Sequence, residues 1–96
     1  MTIELKDFDP AEYLDTPESQ AMLIEDAFET GDRAYILNAI GIVARARGMS
    51  ALQKETGLNR ATLYSALSPE GNPTLGTMMA VLSALGMKMA VKPAAA

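Results

Sequence analysis

The side chains of this 96-residue chain that could take part in chemistry fall into two groups, neither of which contains the commonest catalytic residues. Histidine and cysteine are absent, so the usual general bases, nucleophiles and soft metal ligands are missing. The first group comprises the carboxylates of Glu25, Asp26 and Glu29 at helical spacing. They could bind a metal ion, although a solvated acidic helix face explains them better. We therefore expect no enzymatic activity, no metal and no cofactor.

The second group lies within residues 51–67, a segment with the pattern of a helix-turn-helix. Two short helices are predicted, with Ser50 and Asn59 as their N-caps and a three-residue turn, residues 57–59, between them. Gly57 allows the left-handed conformation that ends the first helix. Four leucines should fix the angle between the helices: Leu52, Leu58, Leu63 and Leu67.

The outward face of the second predicted helix carries the donors that DNA recognition requires. Arg60 begins the helix and could pair with two acceptors of guanine. Thr62 and Ser65 could bind base edges or phosphates, Tyr64 could reach a phosphate, and Asn59 lies beside a helix N-terminus, where anions bind. Further candidates for phosphate contact are Arg45, Arg47 and Lys54. The alternative interpretation is an ordinary helical hairpin in which Arg60 is a solvated charge.

The charged residues are distributed unevenly along the chain. Residues 1–44 contain two basic and ten acidic side chains, a net charge of −8, whereas residues 45–96 contain six basic and two acidic ones, a net charge of +4. This asymmetry indicates a basic surface for phosphates and an acidic surface for a cationic partner, unless both are ordinary solvated surface. The acidic residues predicted to face such a partner are Glu18, Glu25, Asp26 and Glu29.

The elements that would position these side chains are mainly helices. Hydrophobic periodicity, caps and glycine stops predict five helices, at about residues 17–30, 33–47, 51–56, 60–67 and 75–85. Thr16, Asp32 and Thr74 are the further predicted caps. Alternating residues predict short strands at 2–6 and 87–92, which should pair within or between chains. A single helical turn is also conceivable at residues 10–15.

The apolar positions predict how the first, second and last of these helices pack. The first should bury Ala21, Ile24, Ala27 and Phe28 on one side. The second is apolar nearly all round, as expected of the central helix of a bundle. The last carries a stripe of five apolar residues, Leu75, Met78, Met79, Leu82 and Leu85. Its methionines are better explained as core than as an adaptable binding groove.

Length and composition agree with one small globular domain. Ninety-six residues suffice for a single core, and 49% of the residues are hydrophobic while 21% are charged. No segment approaches the length of a membrane-spanning helix, and the first residues lack the basic and apolar runs of a signal peptide. We expect a soluble cytoplasmic protein with one DNA-binding domain over residues 1–96.

The chain resembles the addiction-module antidote proteins, HigA-like antitoxins within the phage-repressor class of helix-turn-helix proteins. The resemblance extends through FDPAEYLDTPE, ARARGMS, ETGLNRATLYSALSPEGNPTL and VLSALGMKM, of which ETGLNRATLYSALSPEGNP is the specific part. It implies a lambda-repressor-like domain that binds its own operator as a homodimer, encoded with a small basic RelE-like toxin. Gln53 departs from the pattern, which usually has a small residue there, and Ala51 could take part of that role.

The resemblance therefore implies a repressor and antitoxin of a toxin-antitoxin system. Two alternatives remain open at this point. The chain could be a toxin-binding module without DNA affinity, or a transcriptional regulator without a toxin.

Overall fold

The computed structural model describes residues 16–94, and this part of the chain consists of five helices joined by short loops. The helices are α1 (Pro17–Thr30), α2 (Arg33–Arg47), α3 (Met49–Thr56), α4 (Arg60–Ala66) and α5 (Leu75–Ala84). The predicted helical architecture is therefore confirmed, with boundaries within about two residues of those expected. No helix in this region is both long and apolar enough to cross a membrane.

Four of the five predicted caps are present. Thr16, Asp32, Asn59 and Thr74 each accept a hydrogen bond from the backbone N–H three residues later. The predicted cap at Ser50 is wrong, because α3 begins one residue earlier, after Gly48, and has no side-chain cap. Ser50 instead lies exposed within the first turn of that helix.

The core is formed by all five helices. α2 packs between α1 and α3, while α3 also contacts α4 and α5. The buried cluster contains Ile24 from α1, Leu37, Ile40, Val43 and Ala44 from α2, Met49 and Leu52 from α3, Leu63 from α4, Met78, Val81 and Leu82 from α5, and the loop residues Leu67 and Leu85. The predicted leucine contacts of residues 52–67 are confirmed, with Leu58 partly buried.

The apolar stripes of α1 and α5 are narrower than predicted. Phe28 is 41% exposed, and Ala21 is also exposed, while the buried Gln20 takes a place on the inner face. On α5, Leu75 and Met79 are 65% and 54% exposed, because the inner face is formed by Met78, Val81, Leu82 and the following Leu85 instead. The core assignment of Leu75 and Met79 is therefore wrong.

The predicted strand at residues 87–92 is absent. After α5, Gly86 adopts a left-handed conformation and the Met87 N–H donates to the Leu82 carbonyl at 2.8 Å. The following residues lie along α1 and form no ladder of backbone hydrogen bonds with any described residue. An alternating pattern of side chains does not make a strand without a partner strand. The other predicted strand, at residues 2–6, and the helical turn at 10–15 lie outside the described residues.

The connection between α3 and α4 is held by hydrogen bonds to the last turn of α3. Gly57 is left-handed, with φ of 76°, and its N–H donates to the Gln53 carbonyl at 2.9 Å. The Thr56 hydroxyl donates to the Leu52 carbonyl at 2.6 Å and accepts from the Leu58 N–H at 3.2 Å. Thr56 thus satisfies a carbonyl at the end of α3 and an amide of the turn.

One arginine joins three of the helices. Arg47, the last residue of α2, donates through Nε to the Gln20 side-chain oxygen of α1 at 2.7 Å. Its Nη2 donates to the backbone carbonyl of Leu85, just after α5, at 3.0 Å. A charged donor therefore links α1 and the end of α5 to the end of α2.

The Gly57→Ala substitution should lower the free energy of unfolding by about 1–2 kcal/mol. No atom lies within 4 Å of a Cβ added at Gly57, so the cost comes from the left-handed backbone alone. Gly76→Ala is the matched control, because Gly76 lies within α5 with only the Thr74 hydroxyl nearby, at 3.8 Å. It should stabilise the protein by about 0.5–1 kcal/mol. Urea unfolding measures both, and equal effects would contradict the assignment of the turn.

Arg47→Ala should lower the free energy of unfolding by about 1–2 kcal/mol, since it removes two hydrogen bonds donated by a charged group. Arg33→Ala, which removes an exposed arginine at the other end of α2, should change it by less than about 0.5 kcal/mol. Thermal or urea unfolding compares the two variants. An Arg47→Ala protein as stable as the Arg33→Ala protein would show that the link contributes nothing.

Candidate nucleic-acid interface

The exposed face of α4 is set by the residues that the helix buries. Leu63 and Ala66 face the core, together with Leu67 after the helix, so the remaining positions point to solvent. Five of the residues predicted for DNA contact are on the exposed part of this helix and its cap: Asn59, Arg60, Thr62, Tyr64 and Ser65. The helical period places Arg60 beside Tyr64, four residues later, whereas Thr62 and Ser65 point to other parts of the exposed side.

Asn59 has a structural task at the start of α4. Its side-chain oxygen accepts from the Thr62 N–H at 2.8 Å, which leaves the amide NH₂ group directed away from the helix backbone. Asn59 can therefore offer donors, rather than its oxygen, to a ligand at this surface. A donor group suits phosphate oxygens and the acceptor atoms of bases.

Arg60 and Tyr64 interact with each other along the exposed face of α4. The Arg60 Nη2 donates to the Tyr64 hydroxyl oxygen at 3.3 Å, and the guanidinium carbon lies 5.1 Å from the centre of the tyrosine ring. Residues four apart are neighbours on a helix, and a cation over an aromatic ring is attracted to its face. The tyrosine thus restricts the orientation of the arginine that is predicted to read a base.

Arg45 lies next to this surface, on α2. Arg45 and Tyr64 line the same depression between α2 and the end of α4, with a volume of about 220 Å³. The two helices approach closely there, because a Cβ atom added at Gly41 would lie 3.2 Å from the Leu67 carbonyl oxygen. The structure therefore brings Arg45 to the same region as the outward side chains of α4.

The other two predicted phosphate contacts are placed differently. Lys54 is exposed on α3, the helix that precedes the turn. Arg47 uses two of its donors within the fold, for Gln20 and the Leu85 carbonyl, so its guanidinium is directed toward α1 and the end of α5. Phosphate binding by Arg47 stays a prediction that must compete with these contacts.

The small residue considered for the helix crossing, Ala51, does not lie in it. Ala51 is exposed on α3 and therefore does not fill the contact between the helices, contrary to the expectation. Gln53 is half-buried, while the neighbouring Leu52 is buried in the core. The backbone carbonyl of Gln53 accepts a hydrogen bond from the N–H of Gly57.

The four predicted toxin-facing acids are all exposed on α1: Glu18, Glu25, Asp26 and Glu29. Lys92 forms an ion pair with Glu29, and the hydrogen bond that it donates to the Glu29 carboxylate, followed by the charges of Glu29 and Glu25, raises the pKa of Lys92 above its ordinary value. Within residues 16–94, no group of three or more acidic side chains is placed to hold a metal ion. The arrangement is that of a charged surface.

A groove of about 310 Å³ runs between α1 and the segment after α5. Ile24, Phe28 and Leu82 supply apolar walls, while Glu25 and Glu29 lie on the α1 side. Glu18 and Asp26 do not line it. The acidic surface of α1 is therefore interrupted by an apolar groove, which was not expected of a solvated helix face.

Comparison with known proteins assigns the chain to a family. The family described as "Probable addiction module antidote protein" matches residues 4–93. A protein of Haemophilus influenzae strain Rd, of uncharacterized function, is 41% identical over 92 residues, which cover 96% of this chain and 95% of that protein. No solved structure matches the chain. This chain therefore belongs to the family described as probable addiction module antidote proteins, which supports an antidote role in a toxin-antitoxin system.

Proposed function

We propose that this antidote is also a DNA-binding repressor, which binds its own operator as a homodimer and neutralises a basic RelE-like toxin. The observation that carries the DNA-binding part is the outward face of α4. Arg60 and Tyr64 are exposed there beside Arg45, on a helix joined to α3 by a tight, hydrogen-bonded turn. This arrangement agrees with a helix-turn-helix whose second helix enters the major groove.

The roles of the side chains follow from their chemistry. Arg60 reads guanine, because its planar fork matches the two acceptors on that base in the major groove. Thr62 and Ser65 contact base edges or phosphates, and the Asn59 amide donates to the phosphate backbone of DNA. Arg45, Lys54 and Tyr64 are assigned to phosphates. The exposed basic side chains of Arg45, Lys54 and Arg60 support this surface as the one that faces DNA.

The toxin is assigned to the acidic surface of α1. The exposed carboxylates of α1 complement a basic partner, and one of them, that of Glu29, already forms an ion pair with Lys92 of the same chain. This observation also favours the second candidate function, a toxin-binding module without DNA affinity, which needs only α1 and the adjacent groove. The two candidates differ in whether the face of α4 binds duplex DNA.

Selection from a library of random DNA duplexes tests the repressor proposal. The wild-type protein should enrich palindromic sites, since a two-fold symmetric dimer binds two inverted half-sites. Arg60→Ala should relax the preference at one base position in each half-site, because an arginine–guanine pair contributes about 1–3 kcal/mol of discrimination. Lys54→Ala should weaken binding to all duplexes alike. It should also lower the salt slope, the dependence of log affinity on log salt concentration, by about one.

Each part of the proposal has its own contrary result. Enrichment of single, asymmetric half-sites would contradict the homodimer. An Arg60→Ala protein with unchanged base preference would contradict the assigned reading face. If the wild-type protein binds no duplex at low salt, the repressor proposal fails and the toxin-binding module becomes the favoured candidate.

The acidic surface is tested by reversing charges in two matched pairs. Glu25→Lys with Asp26→Lys changes α1, whereas Glu55→Lys with Glu70→Lys makes the same change in net charge on exposed residues elsewhere. The probe is the protein encoded by the reading frame adjacent to this gene. The α1 pair should slow association severalfold more than the control pair, with a stronger dependence on salt, because charge complementarity mainly sets association rates. Stopped-flow kinetics measures this, and equal rates for both pairs would place the toxin elsewhere.

A further inference from the structure

The depression between α2 and the end of α4 has a lining that fits an anionic oxygen. Its polar side chains are Asn38, Arg45, Tyr64 and Ser68, and Met49 and Leu67 contribute apolar surface. None of the residues that line it is acidic. Arg45 therefore brings a permanent positive charge to a recess that contains no carboxylate to neutralise it.

The close approach of α2 and α4 gives this recess a floor of backbone. A Cβ atom at Gly41 would lie 3.2 Å from the Leu67 carbonyl oxygen and 3.4 Å from the Arg45 Nη1. The guanidinium thus lies against the surface of its own helix, near the end of α4. Because glycine leaves this space open, the exposed Arg45 guanidinium can lie at the recess.

The hydrogen-bonding state of the lining determines which groups can donate to a ligand. The Ser68 hydroxyl already donates to the Ser65 carbonyl at 3.0 Å and has no further proton to offer. The Tyr64 oxygen accepts from Arg60 at 3.3 Å, so its own proton remains available. Donors directed to an anion can therefore come from Tyr64, Arg45 and the amide of Asn38.

We infer that this recess binds one phosphodiester of the DNA backbone, and that Tyr64 connects this phosphate to Arg60. The Tyr64 hydroxyl donates to the phosphate while it accepts from Arg60, and its ring supports the guanidinium from below. Tyr64 is then a positioning residue for base recognition, and Asn38 becomes a phosphate ligand. This inference rests on the proposed DNA binding and assigns one contact within it.

Binding measurements on the full-length protein test the inference, with the duplex that the wild-type protein enriches from a random library. Arg45→Ala should weaken binding about tenfold and lower the salt slope by about one, since it removes one charge-assisted contact to a phosphate. Asn38→Ala should weaken binding severalfold without changing the salt slope. Arg33→Ala is the matched control at the other end of α2, outside the recess, and should leave affinity within about twofold.

Tyr64→Phe separates positioning from packing, because it removes only the hydroxyl and keeps the ring. It should weaken binding severalfold and also broaden the base preference at the same position that Arg60→Ala broadens. A role limited to phosphate binding or to helix structure would leave base preference unchanged. Thermal unfolding of each variant, with midpoints close to that of the wild type, verifies that the fold is retained.

Duplexes with single neutral methylphosphonates locate the phosphate. At one position in each half-site, the wild-type and Arg45→Ala proteins should bind with equal affinity, because the partner of Arg45 has lost its charge. Equal loss for both proteins at every position would overturn the inference, as would an unchanged base preference in Tyr64→Phe. So would recess chemical shifts that respond to inorganic phosphate but not to the duplex. If the wild-type protein binds no duplex, the proposed repressor function itself fails.

Discussion

A helix of seven residues is too short to persist in water by itself, so α4 exists only because one of its faces is buried. Leu63 is completely buried, and Ala66 and Leu67 are nearly so. These contacts provide stability, and they also fix the rotation of the helix about its axis. The identity of the exposed side chains follows from that rotation, so the chemistry of the surface depends on the packing of residues that never contact a ligand.

Most of the fold could be predicted from residue order because local signals coincide with tertiary packing. Caps at Thr16, Asp32 and Thr74, together with glycine stops, gave helix boundaries close to those observed. Residues 87–92 were wrongly predicted to form a strand. Alternation describes the side chains only, whereas a strand also depends on a partner for its backbone hydrogen bonds. Leu75 and Met79 are misassigned for a similar reason, because periodicity does not reveal how wide a face the neighbouring helices cover.

The candidate site divides in the same way between local and tertiary information. Exposure of the outward residues of α4 follows from the helical period, and the four-residue spacing of Arg60 and Tyr64 was a readable signal of their contact. The inclusion of Asn38 depends on the approach of α2 to α4, which no local pattern reports. The charge of Arg47 alone could not show that its guanidinium would serve the fold. Family membership confirms the resemblance to antidote proteins, without extending to its HigA-like detail.

The two arginines at the end of α2 connect this helix to both charged surfaces. Arg45 and Arg47 are two residues apart, so their side chains leave the helix in different directions. Arg45 lies beside α4, whereas Arg47 holds the buried Gln20 of the acidic helix α1. A shift of α2 would therefore change the contacts on both sides at once. If a ligand on α1 changes the affinity of the Arg45 surface for its own ligand by some factor, thermodynamic reciprocity requires the converse. The ligand at the Arg45 surface then changes the affinity of α1 for its ligand by the same factor.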